Sequence, residues 1–477
     1  MAKSDFSFAP RLLSLLAVAC AALTTVACGG SDDPVIRGPA ADNEAAPTKL
    51  AACPTKDSAG AALAVDVPAG TTCYTGTNSQ GSSYIIAVPP NWNGRLLLHT
   101  HGGPDTIVNA DRAVELFDRW DIMVRAGYAL AGTAFRPGFE VRRAAEDTER
   151  LRGIFRRHIA RPTLTILHGQ SWGAGVAVKT AETYTLATVG EQPYDAVLLS
   201  AGVLAGGSRS YDFRMDLRAV YQYYCNNHPR PSETQYALNL GFPVDQSQPT
   251  TASVTARVNE CLALNKPADQ RTAEQKAKLA NILGVIKTDE ANLSSHLAFG
   301  TRQFQTIAKA YGGSPFGNTG ANYTGSTNDA ALNAGVQRFM ADTTAFRKFA
   351  EDSDAAGRIP VPVLSVKWIQ DPTAWPELDA HFKTVMQAGG SGDRLVQTFT
   401  AAGESHSYIS DATYVTLLGQ LVQWVQLGQK PTPATVAQAC PAARAAFPAG
   451  TGCSFDPAYV PPPLESRMPA RQRPSLN

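Results

Sequence analysis

One pentad of the sequence, Gly169-Gln170-Ser171-Trp172-Gly173, places a serine between glycines. The apolar run Leu164 to Leu167 precedes it, and an Ala-rich stretch suited to a helix follows. A serine on a tight turn from strand to helix is pushed outward above the sheet edge, where its hydroxyl can act as a nucleophile. Side chains in place of the glycines would collide with the neighbouring strand and helix. The pentad therefore predicts Ser171 as a nucleophile; a glycine-rich turn without chemistry is the alternative.

A second candidate segment, His101-Gly102-Gly103-Pro104, ends an earlier apolar run. Acyl transfer needs N–H donors aimed at the oxyanion that develops on the carbonyl oxygen. The backbone N–H of Trp172, directly after the serine, and that of Gly103 are the predicted donors. The alternative for this segment is a plain turn before a helix.

The general base is sought after the nucleophile, because the expected chain order is serine, acid, histidine. Among the histidines, only His381 and His406 follow the long middle region of the chain. His406 comes just after a predicted strand at 395–399, and we predict it as the base. His381 is interpreted as a solvated or packing residue of an amphipathic helix. His168, beside the pentad, is interpreted as a buried, hydrogen-bonded histidine.

The acid of the triad should follow the end of a strand. Asp371, three residues after Trp368, is the preferred candidate. Asp212 is the rival because it follows the previous strand. Asp379 and Asp354 remain open.

The positioning elements alternate between strands and helices. Strands are predicted at 83–89, 95–99, 128–135, 164–167, 196–199, 362–368 and 395–399. Helices are predicted at 111–125, 140–159, 173–188, 376–388 and 410–427. This alternation indicates βαβ units and an α/β protein with a mostly parallel sheet. Between 203 and 358 the alternation stops, which predicts a helical insertion.

With these residues assembled, the sequence resembles the α/β-hydrolase superfamily over roughly residues 80–205 and 358–428. The resemblance implies a mostly parallel central sheet with helices on both faces and a large helical cap insertion. It also implies a serine hydrolase that works through Ser171, His406 and Asp371 and an acyl-enzyme intermediate, without a metal or organic cofactor.

Two segments are similar to prolyl iminopeptidases, namely His101 to Pro104 and Ser171 to Gly173. Asp105 and Gln170 stand where that family has glycine, and residues 134–138 do not match its Asp-Gln-Arg-Gly turn. These departures favour a carboxylic ester hydrolase over an aminopeptidase. A non-catalytic binding protein on the same scaffold is the third alternative.

The first residues indicate an export signal. Lys3 and Arg11 precede the apolar run Leu12 to Val26, and small residues then lead to Cys28. This exit resembles a bacterial lipobox, with Thr25 where that motif usually has Leu. We therefore expect a lipid on Cys28 and attachment to the bacterial cell envelope. An ordinary signal cleaved nearby, giving a secreted or periplasmic protein, is the alternative.

The predicted organisation divides the chain into six segments. They are the signal peptide 1–28, a flexible tether 29–50, the N-terminal part of the core 51–202, the cap 203–358, the C-terminal part of the core 359–430, and a Pro-rich, disulfide-stapled extension 431–477.

Six cysteines lie outside the signal region, and an even number in an exported chain indicates disulfides. Six cysteines allow 15 pairings, so the sequence leaves the connectivity open. Proximity favours Cys53–Cys73, Cys225–Cys261 and Cys440–Cys453. No metal site is expected, because the sequence has no zinc-ligand spacing such as CxxC.

Composition limits the partners. The 477 residues include 42 Lys+Arg and 41 Asp+Glu, for a net charge of +1. This balance disfavours a nucleic-acid partner, which needs a basic face. A hydrophobic fraction of 44% excludes global disorder. The expected partner is a small-molecule or polymeric ester, and the oligomeric state is left open.

Overall fold

The computed structural model describes residues 43–57, 60–63, 65–105, 109–187, 192–243, 245–447 and 452–476. The expected signal peptide and Cys28 lie outside these residues.

A nine-stranded sheet forms the centre of the described part of the chain. Its strands are β1 (Thr48–Lys49), β2 (Thr72–Thr77), β3 (Ser83–Val88), β4 (Arg95–Thr100), β5 (Ala129–Thr133), β6 (Leu164–Gln170), β7 (Ala196–Ser200), β8 (Val363–Trp368) and β9 (Leu395–Thr400). Their spatial order is β1-β2-β3-β5-β4-β6-β7-β8-β9. The pairs from β1 to β5 are antiparallel, and every pair from β5 to β9 is parallel.

The helices follow the strands in the chain. They are α1 (Asp111–Arg125), α2 (Val141–His158), α3 (Trp172–Ala187), α4 (Gly207–Ser210), α5 (Asp212–Cys225), α6 (Thr251–Leu262), α7 (Ala273–Ile286), α8 (Glu290–Tyr311), α9 (Asp329–Gly335), α10 (Thr343–Ser353), α11 (Pro376–Ala388), α12 (Asp411–Leu427) and α13 (Pro433–Ala446). None of the helices within the described ranges has the length and apolar character needed to cross a membrane.

Helices cover both faces of the sheet because successive strand side chains point to opposite faces. On β4, Leu96 and Leu98 pack with α2, α3 and α11, whereas Leu97 packs with α1 and α12. Together with the crossed order of β4 and β5, this arrangement is the α/β-hydrolase fold. The predicted fold class is therefore confirmed.

The segment between β7 and β8 carries α4 to α10 and has a hydrophobic core of its own. Leu217 of α5, Val258 of α6 and Leu297 of α8 are completely buried in it. The Cys225–Cys261 disulfide joins the end of α5 to α6. These helices form the cap over the carboxyl ends of the parallel strands.

The predicted flexible tether is wrong for residues 43–50. Strand β1 pairs with β2, and the buried Glu44 carboxylate accepts the Ser79 N–H at 2.7 Å. Arg150 Nη1 lies 2.8 Å from Glu44 Oε1. The tether was predicted from composition alone. A two-residue strand and one buried ion pair leave no periodic hydrophobic pattern in the sequence, so they could not be predicted from it. Residues 29–42 lie outside the described ranges.

The extension after residue 430 contains α13 and then runs along the sheet edge to the cap. The structure contains the Cys440–Cys453 disulfide, as well as Cys53–Cys73 near the start of the fold. After Cys453, the backbone N–H of Asp456 donates to the Phe399 carbonyl of β9 at 2.8 Å. Leu464 and Met468 then enter the core of the cap. The extension is thus a strap that links the edge of the sheet to the cap.

A buried ion pair secures the end of this strap. Arg471 Nη2 lies 2.6 Å from Asp216 Oδ2 on α5, and the Arg471 side chain is 1% exposed. Tyr323 Oη donates to the same carboxylate at 2.7 Å. Burial raises the pKa of Asp216, while Arg471 and Tyr323 favour its ionised form. The negative charge of Asp216 on α5 is therefore compensated by Arg471, which comes 255 residues later in the sequence.

Replacing Arg471 by Met removes the cation and leaves Asp216 buried without its ion-pair partner. Because breaking a buried pair from one side is costly, we expect a loss of about 3–5 kcal/mol in the free energy of unfolding. Urea unfolding followed by circular dichroism measures this loss. The control is Lys278→Met, which removes a solvent-exposed pair with Glu274 and is expected to leave the midpoint unchanged. Equal midpoints for both variants would contradict the prediction.

Candidate active site

Ser171 sits at the turn from β6 to α3 in a left-handed backbone conformation, with φ of +55°. Non-glycine residues rarely adopt this conformation, and surrounding contacts must hold it. Its N–H donates to the Ser200 carbonyl at 3.1 Å, and its carbonyl accepts from Val203 N at 2.9 Å. The neighbouring strand β7 therefore fixes the position of the serine backbone.

The glycines of the pentad are required by close packing. A Cβ on Gly169 would lie 2.6 Å from Ala174 Cα and from the Gly173 carbonyl oxygen, inside helix α3. A Cβ on Gly173 would overlap the Thr100 carbonyl oxygen of β4. Helix α3 can approach β4 and β6 this closely only because both positions lack side chains.

Three side chains predicted from the sequence meet at this turn. Ser171 Oγ lies 2.8 Å from His406 Nε2. On the other side of the ring, His406 Nδ1 lies 2.9 Å from Asp371 Oδ2 and 3.1 Å from Oδ1. A carboxylate can only accept here, so Nδ1 carries the proton and Nε2 accepts from the serine hydroxyl.

The Asp371 carboxylate is held rigidly. Its side chain is inaccessible to solvent. The backbone N–H groups of Thr373 and Ala374 each donate to Oδ1 at 2.8 Å. These donors fix the carboxylate as an acceptor facing His406, so the ring has one defined orientation.

The rival acids are engaged elsewhere. Asp212 pairs with Arg473 at 2.6 Å, and Ser208 Oγ donates to Asp354 at 2.5 Å. Asp379 forms a completely buried ion pair with Lys367. The structure thus brings only Asp371, among the four candidates, to the histidine.

The other two histidines considered for the site lie apart from it. His168 is completely buried, with Nδ1 2.8 Å from His99 Nδ1 and Nε2 3.1 Å from Ser200 Oγ. Burial lowers the pKa of His168 to about 3, so the ring is neutral. Burial also lowers the pKa of His381, on α11, to about 4. These positions agree with the sequence interpretation of His168 as a buried, hydrogen-bonded residue.

The loop after β4 lies against the nucleophile. A Cβ on Gly102 would be 3.0 Å from Ser171 Cβ, and Gly103 follows with φ of +72°. Asp105 secures the loop through an ion pair with Arg112 at 3.0 Å. Trp172 is the first residue of α3, so its N–H is one of those that a helix leaves without an intrahelical acceptor. The oxyanion role of Gly103 and Trp172 stays a prediction.

Two residues that the sequence did not point to position the histidine loop. Gln170 Nε2 donates to the His406 carbonyl at 2.8 Å, and Arg119 Nη2 donates to the Ser407 carbonyl at 2.6 Å. Gln170 stood out in the sequence only as a departure from glycine. The position of Gln170 next to Ser171 in the pentad is the only feature of the sequence that could have indicated this role. Its partner, His406, is 236 residues away, so no local pattern links the two.

The buried carboxylate of Glu404 stabilises the same loop, which carries His406, through further hydrogen bonds. Glu404 accepts from Ser410 N at 2.6 Å and from Thr413 Oγ1 at 2.8 Å. Cys453 N in turn donates to Thr413 Oγ1 at 3.4 Å. The disulfide-linked extension therefore supports the loop that carries His406.

No family model matches this sequence. A stretch of 109 residues is 32% identical to the o-phthalyl amidase of Xanthobacter agilis, and covers 22% of this chain and 23% of that protein. Feruloyl esterase B from Aspergillus oryzae has a similar structure, with a TM-score of 0.44 and 15% identity over 82% of this chain and 88% of that chain. Tannin acyl hydrolase from Aspergillus niger has a TM-score of 0.37 and 10% identity over 76% and 79% of the two chains. These two distant resemblances do not identify a substrate.

We expect Ser171→Ala to abolish hydrolysis and leave the fold intact, because the change removes only the hydroxyl oxygen. Turnover of an activated ester and the circular dichroism spectrum measure the two effects. A fluorophosphonate should label the unmodified protein at Ser171 and leave the variant unlabelled. Activity of Ser171→Ala close to that of the parent would reject the serine as nucleophile.

Asp371→Asn should lower kcat by about 10⁴-fold, because the amide no longer holds the productive tautomer of the histidine. Asp212→Asn is the matched control, since it changes the rival carboxylate by the same atoms. It weakens the contact with Arg473 and is expected to affect stability more than kcat. A larger loss of kcat in Asp212→Asn would reverse the assignment of the acid.

Proposed function

We propose that this protein is a serine hydrolase that cleaves carboxylic esters through an acyl-enzyme intermediate. The observation that carries the proposal is the continuous series of hydrogen bonds from Ser171 through His406 to Asp371. A nucleophile, a base and an orienting acid in this geometry are what nucleophilic acyl transfer requires. A binding protein on the same scaffold would have no need for such a series.

In the proposed mechanism, His406 Nε2 takes the proton of Ser171 as Oγ attacks the ester carbonyl carbon. The N–H groups of Trp172 and Gly103 stabilise the oxyanion, and Asp371 stabilises the imidazolium. His406 then protonates the leaving alcohol oxygen, which leaves Ser171 acylated. A water molecule gives a proton to His406, attacks the acyl carbon and releases the acid. Each proton taken by His406 is returned, so no metal or organic cofactor is required.

An aminopeptidase of the prolyl-iminopeptidase type is less well supported. Such an enzyme must hold a free ammonium group, for which a carboxylate in the cap is suited. The buried cap carboxylates of the described residues are already occupied, Asp212 by Arg473 and Asp216 by Arg471. The cap residue His296 contacts the Asp371 loop, and behind it lies the cation Arg214, 3.5 Å from His296 Nδ1. A cation at this place would repel an ammonium group.

Hydrolysis of an o-phthalyl amide is a second candidate. The observation that favours it is the 32% identity over 109 residues with an o-phthalyl amidase. The triad supplies a nucleophile and a proton donor for either an ester or an amide. An amide is harder to cleave because its nitrogen must be protonated before it leaves. Phthalyl anilides and phthalyl esters assayed side by side separate the two candidates.

We also propose that the protein is exported and lipid-anchored at the cell envelope. Three disulfides, Cys53–Cys73, Cys225–Cys261 and Cys440–Cys453, support an oxidising compartment. The basic start and apolar run before Cys28 support a cleaved lipoprotein signal.

Esters should be cleaved much faster than aminoacyl amides, because Ser171 and His406 are in place for both bonds while the buried cap carboxylates of the described residues are paired with arginines and not free to hold an ammonium group. The measurement compares kcat/KM for a short-chain p-nitrophenyl ester with that for proline p-nitroanilide, after correction for intrinsic reactivity. A higher corrected value for the anilide would favour the aminopeptidase.

Mass spectrometry of the protein recovered from the envelope of its bacterial host should find a diacylglyceryl group on Cys28. The control is Cys28→Ser, which cannot accept the lipid and is expected to move to the soluble fraction. A mature chain that begins elsewhere and carries no lipid would contradict the lipoprotein proposal.

A further inference from the structure

Arg214, on α5 of the cap, is a buried cation without a counter-ion. The residue is 5% exposed. Its Nε atom has no hydrogen-bond partner, and Nη2 reaches only His296 Nδ1 at 3.5 Å, a marginal distance. Within the described residues Arg214 forms no ion pair. Burying an ionised group in this way is costly unless a partner arrives.

The other arginines buried nearby are satisfied. Arg471 is bound by Asp216, and Arg152 is bound by Glu149. Arg218, one turn further along α5, donates to the hydroxyls of Thr301 at 2.5 Å and Tyr236 at 3.3 Å. Arg218 also has no carboxylate partner, but hydroxyl groups accept from it, whereas Arg214 has neither a carboxylate nor a hydroxyl partner among the described residues.

Two aromatic rings pack against the Arg214 guanidinium. Its Cζ lies 4.3 Å from the ring centre of Phe213 and 4.3 Å from that of Phe299. The rings cover the flat faces by cation–π contact, so the hydrogen-bonding capacity that remains is at the edge. Burial lowers the pKa of Arg214 to about 10, so the group is still positively charged at neutral pH. The edge of a guanidinium matches the two oxygens of a carboxylate.

This cation is linked to the loop of Asp371 through His296. His296, which contacts Arg214, places its Nε2 2.9 Å from the Pro372 carbonyl, directly after Asp371. Burial, Arg214 and His406 together lower the pKa of His296 to about 3, so this ring is neutral and does not compete as a cation.

The aromatic surroundings continue to the serine turn. Tyr211 stacks on Phe299 with ring centres 5.7 Å apart. Tyr211 also lines a small cavity of about 20 Å³ together with Trp172, which follows Ser171, and Val203, whose N–H donates to the Ser171 carbonyl. Because Arg214 Cζ lies 5.6 Å from the centre of the Tyr211 ring, this ring lies between Arg214 and the residues that hold Ser171.

We infer that Arg214 binds a free carboxylate of the substrate, so that the enzyme acts on esters of aromatic compounds that carry a second, unesterified carboxyl group. This inference rests on the proposed ester hydrolysis and adds the substrate class. The carboxylate supplies the missing counter-ion, and the rings that flank Arg214 contact the aromatic part. Binding at this point holds the ester carbonyl near Ser171.

The test uses two matched pairs of esters, because the carboxylate can lie on the acyl or on the alcohol side. The acyl pair is mono-p-nitrophenyl isophthalate and its methyl ester. The alcohol pair is 4-acetoxybenzoate and its methyl ester. We expect kcat/KM to favour the free acid by about 10²-fold in at least one pair, because the methyl ester leaves the buried cation unpaired.

Arg214→Met keeps an unbranched apolar side chain and removes the guanidinium with its charge. We expect it to reduce the preference for the acid to near unity, with the larger loss in kcat/KM for the acid. Arg218→Met is the matched control, since it removes a buried guanidinium from the same helix, and it should keep the preference. A preference retained in Arg214→Met, or lost equally in Arg218→Met, would overturn the inference.

Inhibition of the unmodified protein gives a second measurement that does not depend on a folded variant. Isophthalate should compete with the ester substrate far better than isophthalamide, and equal inhibition would overturn the inference. Labelling of Ser171 by a fluorophosphonate separates this failure from failure of the proposed function. A protein that is labelled and cleaves both members of each pair equally is an esterase without a carboxylate site. A protein that is neither labelled nor active contradicts the proposed function itself.

Discussion

The contact between helix α3 and strands β4 and β6 is the constraint on which the candidate site depends. It exists because Gly169 and Gly173 have no side chains where a Cβ would meet backbone atoms. The turn then forces Ser171 into a left-handed conformation and directs its hydroxyl away from the sheet. From there, Val203 connects the serine to the cap and Gln170 connects it to the His406 loop.

Buried charges organise the parts of the molecule that come from distant positions in the sequence. Lys367 of β8 pairs with Asp379, and its Nζ also donates to the Gly202 carbonyl at 2.7 Å. Arg471 joins the extension to α5 in a similar way. Such pairs contribute little net stability compared with apolar residues, but each costs much if one partner is missing. They therefore specify which segments meet, and the unpaired Arg214 differs from them because its partner is not part of the described chain.

Much of the central fold could be predicted because it has local patterns. Helices α1 and α11 begin and end at the predicted residues. Strand β6 begins at the predicted residue but extends three residues further, to Gln170, and α3 begins one residue before its predicted start. Strands β1 and β2 and helix α13 were not predicted, since β1 is two residues long and the Pro-rich region around α13 hides its helical pattern. The positions of β1, β2 and α13 depend on contacts with other elements of the fold.

The residues of the candidate site could also be predicted only in part from the sequence. Ser171 and His406 follow from motif and chain order, whereas the choice of Asp371 over Asp212 needed three-dimensional contacts. Gln170, Arg119 and Glu404 support the histidine through contacts that no spacing in the sequence encodes. Arg214 is significant only because of what does not surround it, and such an absence is visible only in the folded chain.

The strap also has a consequence for the order in which the molecule assembles. Arg471 is separated from Asp216 by 255 residues, so the cap reaches its final charge balance only after this long intervening segment has been synthesised. Contacts between such distant positions form slowly, because a long loop must close before they stabilise anything. A nascent chain without residue 471 would expose a cap helix with an unsatisfied carboxylate, which disfavours premature closure over the sheet. The contact between Arg471 and Asp216 is therefore expected to form late in folding.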